Sequence, residues 1–221
     1  MSKTTFITDE LLDHLYRNLS FASPTTVYAG LLEVVTGKEA GSVTETAYTG
    51  YARIAITFGA PAAGDSGGRK IDNTAAVTFG QKTDGGSNVM IAVGIFDAVS
   101  AGNLLFIIFL DGGAPLVFTM IAADLATDAL SHGGHGLVDD QQVRIEQIAG
   151  MPTLPAGLAE DTTYHVVSAA TDKIDLAATM GGASIDITAI GEVLVMPLNP
   201  VTVNQNDTPE FGIGDLVVEE D

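Results

Sequence analysis

Apolar positions crowd most tightly between Val89 and Gly113, where two runs, 89–96 and 104–110, flank a connection containing Asp97, Ser100, Gly102 and Asn103. The runs are short and rich in β-branched and aromatic residues, and turn formers bound them on both sides. That pattern predicts a buried hairpin with a longer, bulged connection rather than helices. Upstream, 51–58 alternates strictly: Ala52, Ile54, Ile56 and Phe58 share one face, and Tyr51, Arg53, Ala55 and Thr57 the other. Residues 26–35 read as the first strand, 37–50 as a polar, acidic loop, and Ile71 with 75–79 as one or two further short strands. The turn cluster 84–88 leads into the hairpin. Only one segment has helical period. Leu11, Leu12, Leu15, Tyr16 and Leu19 recur at that spacing, with Thr8 as N-cap and Asp9 and Glu10 at the positive end of the dipole. A single amphipathic helix over 9–19 is expected, lying across a sheet face or reaching for a neighbouring subunit, with Ser23-Pro24 ending it.

After Gly113 the texture changes. Strands are predicted at 116–121, 143–148, 164–168, 173–177, 185–188 and 193–196, with a helical turn at 124–130 and glycines and prolines between them. From Pro197 the earlier style returns: 201–203, a turn at 204–207, Pro209, and a closing strand at 216–218. Regularly spaced short strands of this kind indicate an all-β fold. The expectation is a jelly-roll-like β-sandwich with a short N-terminal helix and an inserted small β domain, the host being 1–113 with 197–221 and the insert 114–196.

Charge removes several functions from this picture. The 221 residues carry 28 acidic and 9 basic side chains, a net of −19. Nucleic acid is therefore a poor partner, since phosphate binding needs a cationic surface. A cationic partner or counter-ions are favoured instead. Cysteine is absent, which excludes disulfides, zinc–thiolate sites and a thiol nucleophile. The first residues do not read as a signal peptide, and no apolar run approaches the roughly 18 residues of a membrane span. A soluble protein made in a cytoplasm, with no membrane partner, is expected.

Candidate chemistry is sparse. Gly64-Asp65-Ser66-Gly67-Gly68 matches the nucleophile motif of chymotrypsin-like proteases. Such a serine needs an upstream histidine base and an orienting aspartate. The only upstream histidine is His14, in the predicted helix, and Arg69 stands where that family has proline, so a plain loop is the better reading. His132 and His135, with His165 as a third ligand, form a candidate metal site. Zinc asks for three or four ligands with supporting partners, and a turn role for the His-Gly-Leu element competes. Asp139-Asp140 lacks EF-hand spacing. Asn18-Leu19-Ser20 is a formal glycosylation sequon within the predicted helix and is discounted. No catalytic residue, cofactor or metal is assigned. Leu11, Leu15, Tyr16, Phe21 and Tyr48 are the candidate interface residues, because aromatic and apolar anchors carry much of the energy of interface cores; packing within the chain competes for Tyr16, Phe21 and Tyr48.

A set of short motifs in fixed order resembles a family of small tailed-bacteriophage virion proteins. It runs through Leu11-Leu12-Asp13-His14-Leu15, Thr26-Val27-Tyr28-Ala29-Gly30-Leu31, Gly50-Tyr51-Ala52-Arg53, Val77-Thr78-Phe79, Gly94-Ile95-Phe96-Asp97-Ala98, Gly102-Asn103-Leu104-Leu105-Phe106, then Thr202-Val203-Asn204 and Asp207-Thr208-Pro209. Members are labelled tail fibre, structural or head decoration (cement) proteins. The resemblance implies a jelly-roll-like sandwich on the virion. Its preferred role is decoration of the outer capsid surface, with the major capsid protein as partner and a homo-oligomer, dimer or trimer, on the capsid lattice. A tail-fibre or other receptor-binding component is the alternative. In that family the Gly-Asn-Leu-Leu-Phe strand is followed closely by the Thr-Val-Asn turn, whereas here 114–196 intervene. The intervening segment itself resembles a small β module recurrent in phage structural proteins, through His135-Gly136-Leu137, Leu154-Pro155-Ala156-Gly157-Leu158, Thr163-Tyr164-His165-Val166-Val167 and Ile174-Asp175-Leu176-Ala177.

Overall fold

The computed structural model describes residues 2–37, 42–64, 68–122, 124–148 and 154–220. The fold is all-β with one short helix. The chain divides into two compact units: Met1–Val34, Lys38–Leu110 and Val201–Asp221 form the first, and Val35–Gly37 with Asp111–Pro200 the second.

The first unit is organised on the predicted hairpin. Ala92–Phe96 and Leu104–Phe109 pair antiparallel, with a bulge between Leu104 and Phe106. Asp97 shapes the connection: its carboxylate accepts from the Asn103 backbone N–H at 2.6 Å and from the Asn103 amide at 2.8 Å. Every residue of Ala92–Phe96 is buried, because strands flank it on both sides. The sheet runs Ser2–Lys3, Leu104–Phe109, Ala92–Phe96, Val27–Val35, Val43–Glu45, with Ile54–Ile56 also on Val27–Val35. The C-terminal segment then returns to pair three times, Val201–Asn204 on Ser87–Met90, Glu210–Phe211 on Val77–Thr78, and Val217–Glu220 on Arg69–Asp72. Ile7, Leu31, Tyr48, Phe79, Met90, Ile95, Leu105 and Leu216 meet in one core.

Two elements differ from expectation for identifiable reasons. The helix spans Thr5–Tyr16 rather than 9–19. Thr4 stands at its N-cap, but its buried hydroxyl donates instead to the Leu104 carbonyl at 2.6 Å, tying the helix start to the sheet. The helix is thus placed by a tertiary contact and not by the local cap at Thr8. It stops early because Asn18 adopts φ +54° and the Leu19 N–H turns back to the Asp13 carbonyl, a left-handed stop that asparagine tolerates. The alternating stretch 51–58 forms a ladder only at Ile54–Ile56, with Phe58 bridging Asn73.

Part of the reason lies at Gly50, which sits at φ +104°, with Gly80 against it. A Cβ on Gly80 would fall 1.9 Å from the Gly50 carbonyl oxygen, and one on Gly50 2.2 Å from that of Gln81. Only glycine permits this backbone contact. Gly80→Ala is expected to cost about 2–3 kcal/mol by forcing the two segments apart; a urea unfolding midpoint equal to that of the parent chain would show that the crossing gives way freely.

The second unit is a closed barrel of six antiparallel strands, in the order Leu116–Met120, Leu130–Ser131, Lys173–Ala177, Thr163–Val167, Gln142–Glu146, Gly191–Pro197 and back to the first. Closure leaves no edge to protect. Side chains alternate: Val143, Ile145, Val193 and Val195 are buried in the same core as Phe118, Leu130, Val166 and Ile174. The predicted strand at 185–188 is absent. Ile187 is buried there, but its N–H is held by the Asp128 carboxylate at 2.9 Å, and only Ser184 bridges Ala177. Leu130–Ser131, two residues of ladder that close the barrel, begin on the last residue of the stretch 124–130 read as a helical turn, and the turns there end at 128.

Candidate interaction surface

The helix has one face in the core and one outside it. Ile7 is buried and Phe6 packs beside it, while Leu12, Leu15 and Tyr16 are 49%, 68% and 80% exposed, as is Leu19 just past the helix end at 48%. A scattered exposed leucine is ordinary, but a contiguous apolar stripe on one element marks an interaction surface. Leu11, 38% exposed, also borders an apolar groove of about 360 Å³ lined by Pro61, Ile71, Phe106 and Val218, with Arg69 and Lys70 at its margin.

Of the five anticipated interface residues, Leu11, Leu15 and Tyr16 lie on this exposed face. Phe21 is partly buried and packs on the core. Tyr48 is not a surface residue: it is 4% exposed, and its hydroxyl donates to the Gly80 carbonyl at 3.0 Å. The close approach of Gly50 and Gly80 draws the residues around Tyr48 inward, which the polar sequence around it did not signal.

The first unit also holds a polar depression of about 350 Å³ bordered by Glu45, Thr46, Tyr48, Tyr51, Arg53 and the turn 99–101. The Arg53 guanidinium reaches both Glu45 oxygens, at 2.8–3.1 Å, and donates to the carbonyls of Ala98 and Ala101 at 2.9 and 2.6 Å. It also lies 3.4 Å from the centre of the Phe96 ring. The Tyr51 hydroxyl donates to Glu45 and accepts from the Leu31 N–H. Burial first, then the neighbouring carboxylate, pushes the Tyr51 phenol above its ordinary range. These groups bind one another, so the cluster locks the loop 97–103 in place.

The histidines do not converge. His132 and His135 rest on the Phe118 ring, at 5.1 and 5.5 Å between ring centres, and Nδ1 of His135 accepts from the Leu137 N–H. His165 stands on another strand, opposite Gln142 and Ala177. Among the described residues no group of three or more His, Cys, Asp or Glu is gathered as a metal site. Asp139 and Asp140 serve loops, accepting from the backbone N–H groups of Ala169 and Gly181. Asp65, Ser66 and Gly67 lie outside the described residues.

One carboxylate in the barrel is unfavourably placed. Burial, with the Asp128 charge adding to it, holds the Asp175 pKa above the ordinary value, against an opposing hydrogen bond from Ser168. As pH rises past the ordinary carboxylate range, the unfolded chain loses this proton before the folded one does. Asp175 therefore reduces stability progressively up to its folded pKa, and the penalty persists above it. Asp175→Asn is expected to raise the melting temperature at pH 7 but not at pH 3; an equal shift at both would assign the gain to packing.

No helix among the described residues is long and apolar enough to cross a membrane. With the strands, helix and surfaces established, comparison with known families defines the class: the chain is a structural protein of a bacteriophage virion. Residues 2–115, just over half of its length, match the family model described as Podophage GP4 fiber I protein gp80, and the chain belongs to that family. The match takes in the helix and the whole central hairpin and stops at the start of the barrel. No curated protein matches the chain.

Proposed function

We propose that this chain is a fibre-class subunit of a tailed-phage virion, contributing to a tail appendage and acting through surface contact. The observation that carries the reading is the fibre-family match across 2–115. The exposed helix face, which lies within that match, supports it. Gold-labelled antibody or cryo-EM on intact particles tests it. Signal confined to the tail, at few copies per particle, is expected; signal over the head at every capsomer would reject the tail assignment.

Head decoration, with copies bridging the major capsid protein, is the second reading. It is favoured by the short strands of the first unit. The longest described strand there, Val27–Val35, has nine residues, and its ladders are compact instead of the long repeats of a fibre shaft. The same labelling experiment separates the two.

We further propose that the barrel is an insertion in the family domain. Within the first unit, the Leu110 N–H bonds the Ile91 carbonyl and Val201 pairs with Met90, so the points where the chain leaves and returns are adjacent. Within the barrel unit, Asp111 bridges Leu198. Insertions are tolerated where the two ends of the interrupted loop lie close. A chain with 111–200 replaced by a short glycine-serine linker is expected to keep a cooperative unfolding transition and a dispersed amide spectrum; a collapsed spectrum would show that the first unit needs the barrel to fold.

A further inference from the structure

The groove beside the helix has the make-up of a ligand site. Three of its residues share one face of a small sheet. Arg69 and Ile71 are two apart on Arg69–Asp72, and Val218 stands opposite Ile71 in the ladder with Val217–Glu220. Ala62–Ala63 pairs on the other side of Arg69–Asp72, so backbone ladders fix the floor before anything enters. Phe106 from the central hairpin, Leu11 from the helix and Pro61 complete the apolar lining. We propose that this groove binds one single-chain amphiphile, a linear hydrocarbon tail with a carboxylate head. The tail lies against Ile71, Phe106 and Val218, and the head meets Arg69 at the rim.

Solvation argues for the tail. Of the lining side chains only Arg69 and Lys70 carry polar groups. A water molecule needs two to four polar partners, and hollows that lack them stay dry and take hydrocarbon instead. Each methylene moved from water into such a place strengthens binding about fourfold. The volume of about 360 Å³ lies in the range of small-molecule sites. At ~30 Å³ for a water-sized group, it holds about a dozen of them. That is one chain of medium length, and too little for a two-chain lipid.

Charge argues for the head. Arg69 is exposed, and its guanidinium donates to the Pro61 carbonyl at 2.7 Å. Among the described residues that is its one side-chain hydrogen bond, and no carboxylate forms an ion pair with it. A guanidinium has five N–H donors, so enough remain to grip a carboxylate through two of them. Lys70 alternates to the other face of its strand, and Arg69 supplies the charge on this one. A chain of net −19 repels anions in general, and Glu220 stands opposite Arg69 in the ladder. A head with one negative charge is therefore admitted where a doubly charged phosphate is not.

The test is isothermal titration calorimetry of the full-length chain with laurate, held below its micelle concentration. Saturable binding of one laurate per chain is expected, at least about tenfold tighter than that of dodecyltrimethylammonium, which has the same tail and the opposite charge. Leu11→Asp puts a charge on the groove wall at a position 38% exposed, and circular dichroism reports whether the variant folds. It is expected to weaken laurate more than about tenfold. Arg69→Gln, at the exposed rim, is expected to weaken laurate about tenfold and to abolish the preference for it over the cation. Absence of saturable laurate binding, equal affinity for the two amphiphiles, or unchanged binding in a folded Leu11→Asp or Arg69→Gln variant would overturn the proposal. So would adsorption to phosphatidylglycerol vesicles without uptake of monomeric laurate, which would assign the groove to a membrane surface instead.

Discussion

Replacing Arg144 by alanine is expected to destabilise the barrel by about 3–5 kcal/mol. Arg144 lies on Gln142–Glu146, where Val143 and Ile145 point into the barrel core, so its own side chain leaves on the opposite face. That face is not open to water, because the arginine side chain is 1% exposed. Its guanidinium pairs with Glu146 and stands 3.6 Å from Asp161 and 3.7 Å from Asp111. Asp161 is itself buried, with a side chain 2% exposed. An ion cluster of this kind adds little net stability over a well-packed apolar one, yet removing the arginine leaves the buried Asp161 charged and desolvated, while Glu146 and Asp111 keep 28% and 40% exposure. The cost therefore comes chiefly from Asp161, and Asp161→Asn added to Arg144→Ala should recover part of it. Chemical denaturation of the single and double variants checks this. If the two changes are additive, the cluster is not coupled and the burial of Arg144 matters only for packing.

The central hairpin, the strand at 27–35 and the strands at 201–203 and 216–218 were readable because their apolar runs are bounded by turn formers, whereas the short ladder Glu210–Phe211 was not. The bulged connection was readable too, since Asp97 and Asn103 are residues that bind backbone locally. Features made by long-range contact were not. Nothing near Thr4 announces that its hydroxyl serves the Leu104 carbonyl a hundred positions away. The apolar Ile185 and Ile187 resemble a strand, but they pack on the barrel while Asp128 holds the backbone N–H. Leu130–Ser131 closes the barrel with too few residues to produce any periodicity. For the exposed face of the helix, the helical spacing of Leu11, Leu15 and Tyr16 sufficed, because a helix's outward face follows from its period. The groove did not show, since it joins Pro61, Ile71, Phe106 and Val218 from four separate segments. Tyr48 was misplaced for the same reason: its burial depends on Gly80, thirty-two residues further along.

Buried cations are the other feature that composition concealed, and in the first unit Arg53 is one of them, with Lys82 another. Arg53→Ala is expected to cost about 3 kcal/mol, near the lower end for a broken buried pair because Glu45 keeps 23% exposure. Three losses combine. Glu45 is left with the Tyr51 hydroxyl alone at the centre of the cluster, the Ala98 and Ala101 carbonyls lose their donor, and the Phe96 face loses its cation. The middle loss is the informative one. Ala101 is held at φ +52°, a conformation that an alanine adopts only when its surroundings impose it. Once its carbonyl is released, the turn should relax, and amide exchange across 98–103 should accelerate well beyond the global loss of stability. Arg53→Lys keeps the charge but not the planar fork that spans Glu45 and two carbonyls together. It should therefore restore less than half of the stability and little of the exchange protection. Full rescue by lysine would mean that charge alone holds the hairpin connection, and that the multiple hydrogen bonds of Arg53 are incidental.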